Sequence, residues 1–303
     1  MTNHKTVLIT GATGTIGKLL IPLLYKNGYT IHVLSRRNIE IQNAKVFLWD
    51  VNEMKADSAA FQNINYIIHL AGEGIADKRW TEERKQQIID SRVNSVKLLN
   101  KCVTDNKLKL EKFVSASAVG YYGADASDKF YNEDDVAGND FLADCCKKWE
   151  AASDTFLNNC SVVKIRLGVV LDRNSGAFPK LILPIKYGAA SALGSGNQPL
   201  PWIHVNDVCN VFLSALVNDE MSGIYNAVST DYQTNKSFTS IAAKVMHRPY
   251  FLPNVPAIIL RIAFGELSDT FLKGQKVYPQ RLINKQFSFE FETLESAIKD
   301  LTK

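Results

Sequence analysis

Residues 6–17 read TVLITGATGTIG, a short β-branched apolar run that breaks into a glycine loop. Thr6 to Thr10 fit a strand, and the stretch from Lys18 to Asn27, closed by Gly28, carries apolar residues at helical spacing. Strand, tight turn and helix in that order give Gly11, Gly14 and Gly17 their meaning. The first permits the turn, the second lets backbone approach a pyrophosphate, and the third lets helix pack on strand. Thr13, Thr15 and Ile16 complete the loop, and the helix behind it offers N–H groups and a positive dipole end to phosphates. A bare tight turn is the plainer alternative. A Walker-type loop fails, because the spacing from Gly11 to Gly17 is one residue too long and Leu19 stands where Ser or Thr is required.

Outward from this unit, residues 29–34 and 45–48 fit further short strands, and 66–70 (YIIHL) is nearly all apolar, as a strand covered on both faces should be. Residues 81–105 form a helix entered at an N-cap Thr81, with Glu82 and Glu83 in its first turn. A strand over 112–115, a helix from Asn139 to about Leu157 and a strand over 162–166 complete the alternation. Such units specify an α/β, Rossmann-type doubly wound parallel sheet. After Gly168 the texture becomes α+β: a glycine-rich loop over 188–198, a WIHV strand, and a helix for which Asp207 is the expected N-cap. The expected division is a dinucleotide-binding domain of residues 1–170 and 200–228, with 171–199 and 229–303 as a smaller C-terminal substrate lobe.

The chain has 303 residues, 46% hydrophobic and 22% charged, which is a globular composition. Its formal charge of +4 comes from scattered basic residues, so no nucleic-acid partner is expected. The N-terminus carries no signal-peptide pattern and reads as a cytoplasmic start. The most apolar later stretch, Pro256 to Phe264, is broken by Arg261 and falls short of the ~20 residues of a membrane span, so no membrane partner is expected and a buried or interfacial helix is. The five cysteines fit a reducing compartment, and the five dispersed histidines argue against a metal site.

The second strand ends in Ser35, Arg36 and Arg37, where an NAD site usually carries a carboxylate for the ribose hydroxyls. Two guanidinium groups and a hydroxyl suit a 2′-phosphate, favouring NADP(H) over NAD(H). The alternative is a pair of solvated loop arginines. Asp50, ending the third strand, is placed at the adenine edge.

The chain resembles the extended short-chain dehydrogenase/reductase superfamily, the NAD-dependent epimerases and dehydratases, over its whole length. HLAGEGIADKRW (69–80), SASAVGYYG (115–123), FLADCCKKWE (141–150), RLGVVLDRNSGAF (166–178), ALGSGNQPLPWIHVNDV (192–208) and YPQRL (278–282) are similar to the atypical branch that includes the bacterial YfcH-like proteins. The resemblance implies an NADP-binding Rossmann domain and a small substrate lobe. It places Leu70, Ala71 and Gly72 along the cofactor ribose, with Glu73 directly behind them and Arg92 on the following helix. Ser117 matches the superfamily's active-site Ser or Thr, with Ser115 beside it; ordinary strand-end hydrogen bonding is the alternative for both. Arg166, Leu167 and Gly168 match the strand end near the nicotinamide carboxamide.

The superfamily's Tyr and Lys, one helical turn apart, are missing: Leu142 and Cys146 stand at their positions. Tyr232 and Lys236 have the spacing but follow a later strand, and Lys147 and Lys148 are rotated away from the site. Tyr121 and, after it, Glu73 are the remaining acid or base candidates; Tyr121 is otherwise an aromatic wall, with Tyr122 beside it at the substrate. Arg79 and Trp80 either meet an anionic ligand or form a packing cluster at the helix entry. Gly194, Gly196 and Gln198 resemble the loop beneath a bound nucleotide, followed by Trp202 and His204, the latter orienting a substrate or simply structural. The expected function is reversible hydride transfer on a small hydroxyl, carbonyl or nucleotide-sugar-like substrate, by a monomer or homodimer. A non-catalytic NADPH-binding sensor is the alternative that the missing pair motivates.

Overall fold

The computed structural model describes residues 5–124 and 128–303. The chain runs β1 (Thr6–Thr10), α1 (Thr15–Lys26), β2 (Thr30–Ser35), β3 (Lys45–Asp50), β4 (Lys55–Ala56), β5 (Ile64–His69), α2 (Glu82–Asp105), β6 (Lys112–Ala118), β7 (Phe130–Tyr131), α3 (Phe141–Asp154) and β8 (Ser161–Leu167). It continues through β9 (Val169–Leu171), α4 (Phe178–Lys186), β10 (Trp202–His204), α5 (Val205–Val217), β11 (Gly223–Ala227), α6 (Asn235–Val245), α7 (Ala257–Phe264), α8 (Asp269–Leu272), β12 (Lys276–Val277), α9 (Gln280–Asn284) and α10 (Leu294–Leu301).

Eight strands form the central sheet in the order β11-β8-β6-β5-β1-β2-β3-β4, parallel throughout except for the β3–β4 pair. This is the doubly wound arrangement expected. Strand order reverses between β1 and β5, and the crevice beyond their carboxyl ends is where such sheets bind ligands. All five residues of β1 are buried, as are Tyr66 to His69 of β5, because helices cover both faces. A second core joins Leu171, Phe178, Trp202, Phe238, Leu294 and Ile298, drawn largely from α4, α6 and α10.

Several element boundaries move. α1 starts at Thr15 rather than Lys18, since Gly14 is its N-cap and Gly17 lies inside the first turn. β6 runs on to Ala118, three residues past Ser115, because it pairs with β8 along its whole length. Asp207 does not cap α5: His204 does, its ring nitrogen accepting from the Asn206 N–H at 3.1 Å. Asp207 is instead buried and accepts from the N–H groups of Glu290 and Phe291 at 2.7 and 3.2 Å, pinning the C-terminal segment to the domain. The apolar stretch 256–264 is not buried. Leu260 alone of α7 is, while Ile258, Ile259 and Ile262 lie outward. Among the described residues no helix is long and apolar enough to cross a membrane.

Candidate active-site cleft

The glycine loop is shaped by close backbone approach. Gly11 has φ 72°, and a Cβ there would lie 2.7 Å from the carbonyl carbon of Leu70 and 2.8 Å from the nitrogen of Ala71. The loops after β1 and β5 therefore abut. A Cβ on Gly17 would lie 2.6 Å from the Cα of Ala12, which is the helix-to-strand contact. Gly14 is exposed and extended, and no side chain caps α1 and no acidic residue sits in its first turn. Elsewhere Thr81, Asp140, Thr234 and Thr293 cap α2, α3, α6 and α10 with their side chains. The first-turn N–H groups of α1 thus lack the side-chain acceptor that α2, α3, α6 and α10 carry; α4, α7, α8 and α9 lack one too, but only α1 starts from the glycine loop after β1, where a phosphate fits. Ser175, which sequence reasoning missed, lies 2.9 Å from Thr15 Oγ1 and 2.7 Å from Asp172 Oδ2, bringing the β9–α4 loop to this helix end. Thr13 is exposed and Ile16 half-buried.

At the far side of β2 the side chains stay available. Arg36 is 76% exposed, reaching Glu73 at 3.3 Å, and Arg37 is exposed as well. Ser35 turns its hydroxyl onto the Arg37 backbone, donating to the carbonyl at 2.8 Å and accepting from the N–H. Asp50 accepts from the N–H groups of Asn52 and Glu53, a turn cap, while Arg36, Leu48, Trp49 and Asp50 line one open depression of about 370 Å³. Glu73 also meets Arg84 at 3.3 Å; burial would raise its carboxyl, but the bonds from Arg84 and Arg36 outweigh this and hold it below its ordinary range.

On the other side of the cleft the side chains are committed to one another. Ser117, expected as the reacting hydroxyl, is buried and donates to Glu150 Oε1 at 2.7 Å. Glu150 holds Arg166 in a two-pronged pair at 2.8 and 2.9 Å. Arg166 Nη1 donates to the Tyr122 hydroxyl at 2.9 Å, which donates to Asn226 Oδ1 at 2.8 Å. Ser117, Arg166 and Tyr122 thus share one buried polar network with Glu150 and Asn226. Burial works against the Arg166 charge, yet Glu150 holds it protonated more firmly than usual, and burial pushes the Tyr122 phenol up to about 12. Glu150 and Asn226 were missed, and only side-chain geometry reveals them. Ser115 is buried and donates to the Ala116 carbonyl. Leu167 is half-buried, and Gly168 serves packing, since a Cβ would lie 2.6 Å from the Pro201 oxygen. Tyr121 stays half-buried, its ring 3.4 Å from the Arg166 guanidinium carbon.

A Cβ on Gly120 would lie 3.2 Å from Leu142 Cβ and 3.9 Å from Cys146 Sγ, so these two residues face the end of β6 where Tyr and Lys are expected. Burial, then the Cys145 thiol, pushes Cys146 up to about 12, which leaves it neutral. Lys147 and Lys148 point outward.

The expected substrate residues mostly have structural work. Arg79 donates to the carbonyl of Ala263 at 2.7 and 3.0 Å and to that of Ile262, clamping the end of α7. Trp80 donates to the Ile75 carbonyl and packs edge-on against Phe141 at 4.8 Å. Gln198 is buried and donates to the carbonyls of Leu193 and Phe271. Gly194 and Gly196 close the same loop through N–H bonds to Val255 and Leu193. Trp202 sits in the second core, donating to the Asp231 carbonyl. His204 is buried, stacked on Phe291 at 3.7 Å. Gly72 is exposed beside Arg92, and among the described residues no group of three or more His, Cys, Asp or Glu could hold a metal ion.

The family model for the NAD dependent epimerase/dehydratase family matches residues 7–227, and a domain of unknown function matches 255–301. The chain belongs to the NAD dependent epimerase/dehydratase family. Among members of this epimerase/dehydratase family, the Bacillus subtilis epimerase family protein YfhF is 34% identical, covering 97% of both chains. The crystal structure of human epimerase family protein SDR39U1 with NADPH superposes with TM-score 0.88 at 30% identity, covering 98% of both chains. A nucleoside-diphosphate sugar epimerase from Corynebacterium glutamicum, 28% identical and with TM-score 0.79, matches 98% of this chain over 57% of its own.

Proposed function

We propose that this chain is an NADP(H)-dependent enzyme that transfers hydride to or from a small hydroxyl or carbonyl compound of the nucleotide-sugar type. The observation that carries the reading is the uncapped start of α1 behind the exposed Gly14, at the point where strand order reverses. The human relative crystallised with NADPH supports the choice of cofactor. Residues 1–170 and 200–228 would hold the dinucleotide, and 171–199 with 229–303 the substrate.

Bound NADP(H) would supply or accept the hydride. The N–H groups of Thr15, Ile16 and Gly17 would hold the diphosphate, and Arg36 and Arg37 the 2′-phosphate. Leu70, Ala71 and Gly72 would line the ribose. Tyr121 would hold the proton exchanged with substrate, while the network of Ser117, Glu150, Arg166 and Tyr122 keeps its ring in place. The test is to incubate the protein with NADPH or NADP and a panel of carbonyl compounds, sugars and nucleotide sugars, following nicotinamide absorbance. Turnover lost in Tyr121→Phe but kept in Ser117→Ala supports this assignment; turnover kept in Tyr121→Phe contradicts it.

A second reading, a non-catalytic NADPH-binding sensor, is favoured by one observation: Leu142, Cys146 and the committed Ser117 leave no Tyr and Lys pair at the end of β6. Tight cofactor binding with no turnover across the panel would select it.

A further inference from the structure

We propose that Arg92 is the fixed cation of the cleft, delivered from α2 to the position that a lysine of α3 would serve, where it donates to the cofactor ribose on the nicotinamide side. The inference rests on the NADP(H) reading above. The order of groups along the sheet sets the direction of the cofactor. The arginines that suit a 2′-phosphate stand at the end of β2, and the phosphate cradle follows β1. The next strand is β5, so an extended dinucleotide would bring its second ribose to the loop that begins at Leu70. That loop touches the glycine loop directly, as the approach of Gly11 to Leu70 and Ala71 shows.

Arg92 lies against this loop. A Cβ on Gly72 would lie 3.1 Å from its guanidinium carbon and 3.3 Å from its Nε, so the absence of a side chain at 72 leaves room for the guanidinium. The same group lies 5.0 Å from the ring of Trp149, on α3. Trp149 is three residues after Cys146, hence on the same helical face, and the Arg92 charge is felt by the thiols of both Cys145 and Cys146. The guanidinium therefore stands over the part of α3 from which a lysine at 146 would project.

Its donors are mostly free. Among the described residues, one hydrogen bond is made, from Nη1 to the Ile88 carbonyl at 2.9 Å, and no carboxylate pairs with it. Glu73, the nearby acid, is already held by Arg36 and Arg84. Cys146 is neutral and gives no compensation. A largely enclosed guanidinium with idle donors calls for an oxygen-rich partner, and ribose hydroxyls supply acceptors in that direction.

The test uses three ligands that end at different points: 2′,5′-ADP, which stops short of the second ribose, 2′-phospho-ADP-ribose, which includes it, and NADPH. Affinities are measured by calorimetry for the unaltered protein, Arg92→Gln, Arg92→Lys, and the double variant Arg92→Gln with Cys146→Lys. Arg92→Gln should weaken NADPH and 2′-phospho-ADP-ribose by about tenfold to a hundredfold while leaving 2′,5′-ADP within about twofold, which also certifies the fold. Arg92→Lys should recover part of the loss, and the double variant should recover some of it from α3. Unchanged NADPH affinity in Arg92→Gln, or equal losses for all three ligands, would overturn the proposal alone. Failure of the unaltered protein to bind any of the three would overturn the cofactor reading and this one with it.

Discussion

The two walls of the cleft hold themselves together by different means. At α1 the wall is backbone: a glycine loop, an uncapped helix end and exposed arginines at the neighbouring strand, all turned outward. At α3 the wall is side chain: Ser117, Glu150, Arg166, Tyr122 and Asn226 bond to one another, with Leu142 and Cys146 neutral beside them. The first wall leaves backbone donors and cations open to solvent, and the second is satisfied within itself. The two walls are built independently, so a variant on one side should leave the other intact.

The largest effect should come from the sealed side. Glu150→Gln leaves Arg166 as a buried charge without its counter-ion, and should cost about 3–5 kcal/mol in urea denaturation. NADPH affinity of the folded variant should stay within about threefold; a collapse of affinity would mean that the two walls are coupled. Next comes Gly14→Asp. Its backbone is extended and a Cβ would lie 3.2 Å from the Gly11 oxygen, so a side chain enters with a shift of a few tenths of an ångström, which an aspartate offsets as a good N-cap. Thermal stability should hold within about 1 kcal/mol while NADPH affinity falls about a hundredfold or more. A parallel loss of both would show that the loop is shaped for folding instead.

Acid should expose a buried link between the walls. His69 lies between Thr10 and Ser95, and burial, then the Arg92 charge, lowers it to about 3 from 6.5. Its stabilising contribution is full above pH 6.5 and declines as pH falls through that value toward 3, since the unfolded chain takes up the proton first. Between pH 7 and pH 5 the unaltered protein should lose about 2 kcal/mol that His69→Asn does not. Equal pH slopes in the two proteins would contradict the neutral assignment. The smallest effect is Ser117→Ala, which removes one donor from Glu150 and should cost about 1 kcal/mol of stability.

The backbone wall was the part legible in sequence. Glycine spacing, strand periodicity and the Thr81 cap are local signals, and β1, α1 and α2 follow from them with boundary shifts of a few residues. The side-chain wall was not legible, because its meaning depends on partners far along the chain. Ser117 reads in sequence as a hydroxyl at a strand end, but its partner Glu150 lies on α3 and is fixed in turn by Arg166 from another strand. Asp207 fits a helix cap by position, yet the helix begins just after His204, which takes that work. Trp202 and Gln198 sit in a motif that resembles a ligand loop, but their polar atoms are bound to carbonyls within the fold. The α7 helix has a composition fit for burial and an outward apolar face, which periodicity alone does not separate.

The most direct test of the account is calorimetric titration of the unaltered protein with NADPH and with NADH. The uncapped α1 and the exposed arginines predict NADPH binding at least about tenfold tighter than NADH, with the preference abolished in Arg36→Ala with Arg37→Ala. Equal affinity for the two, or binding of neither, would contradict it.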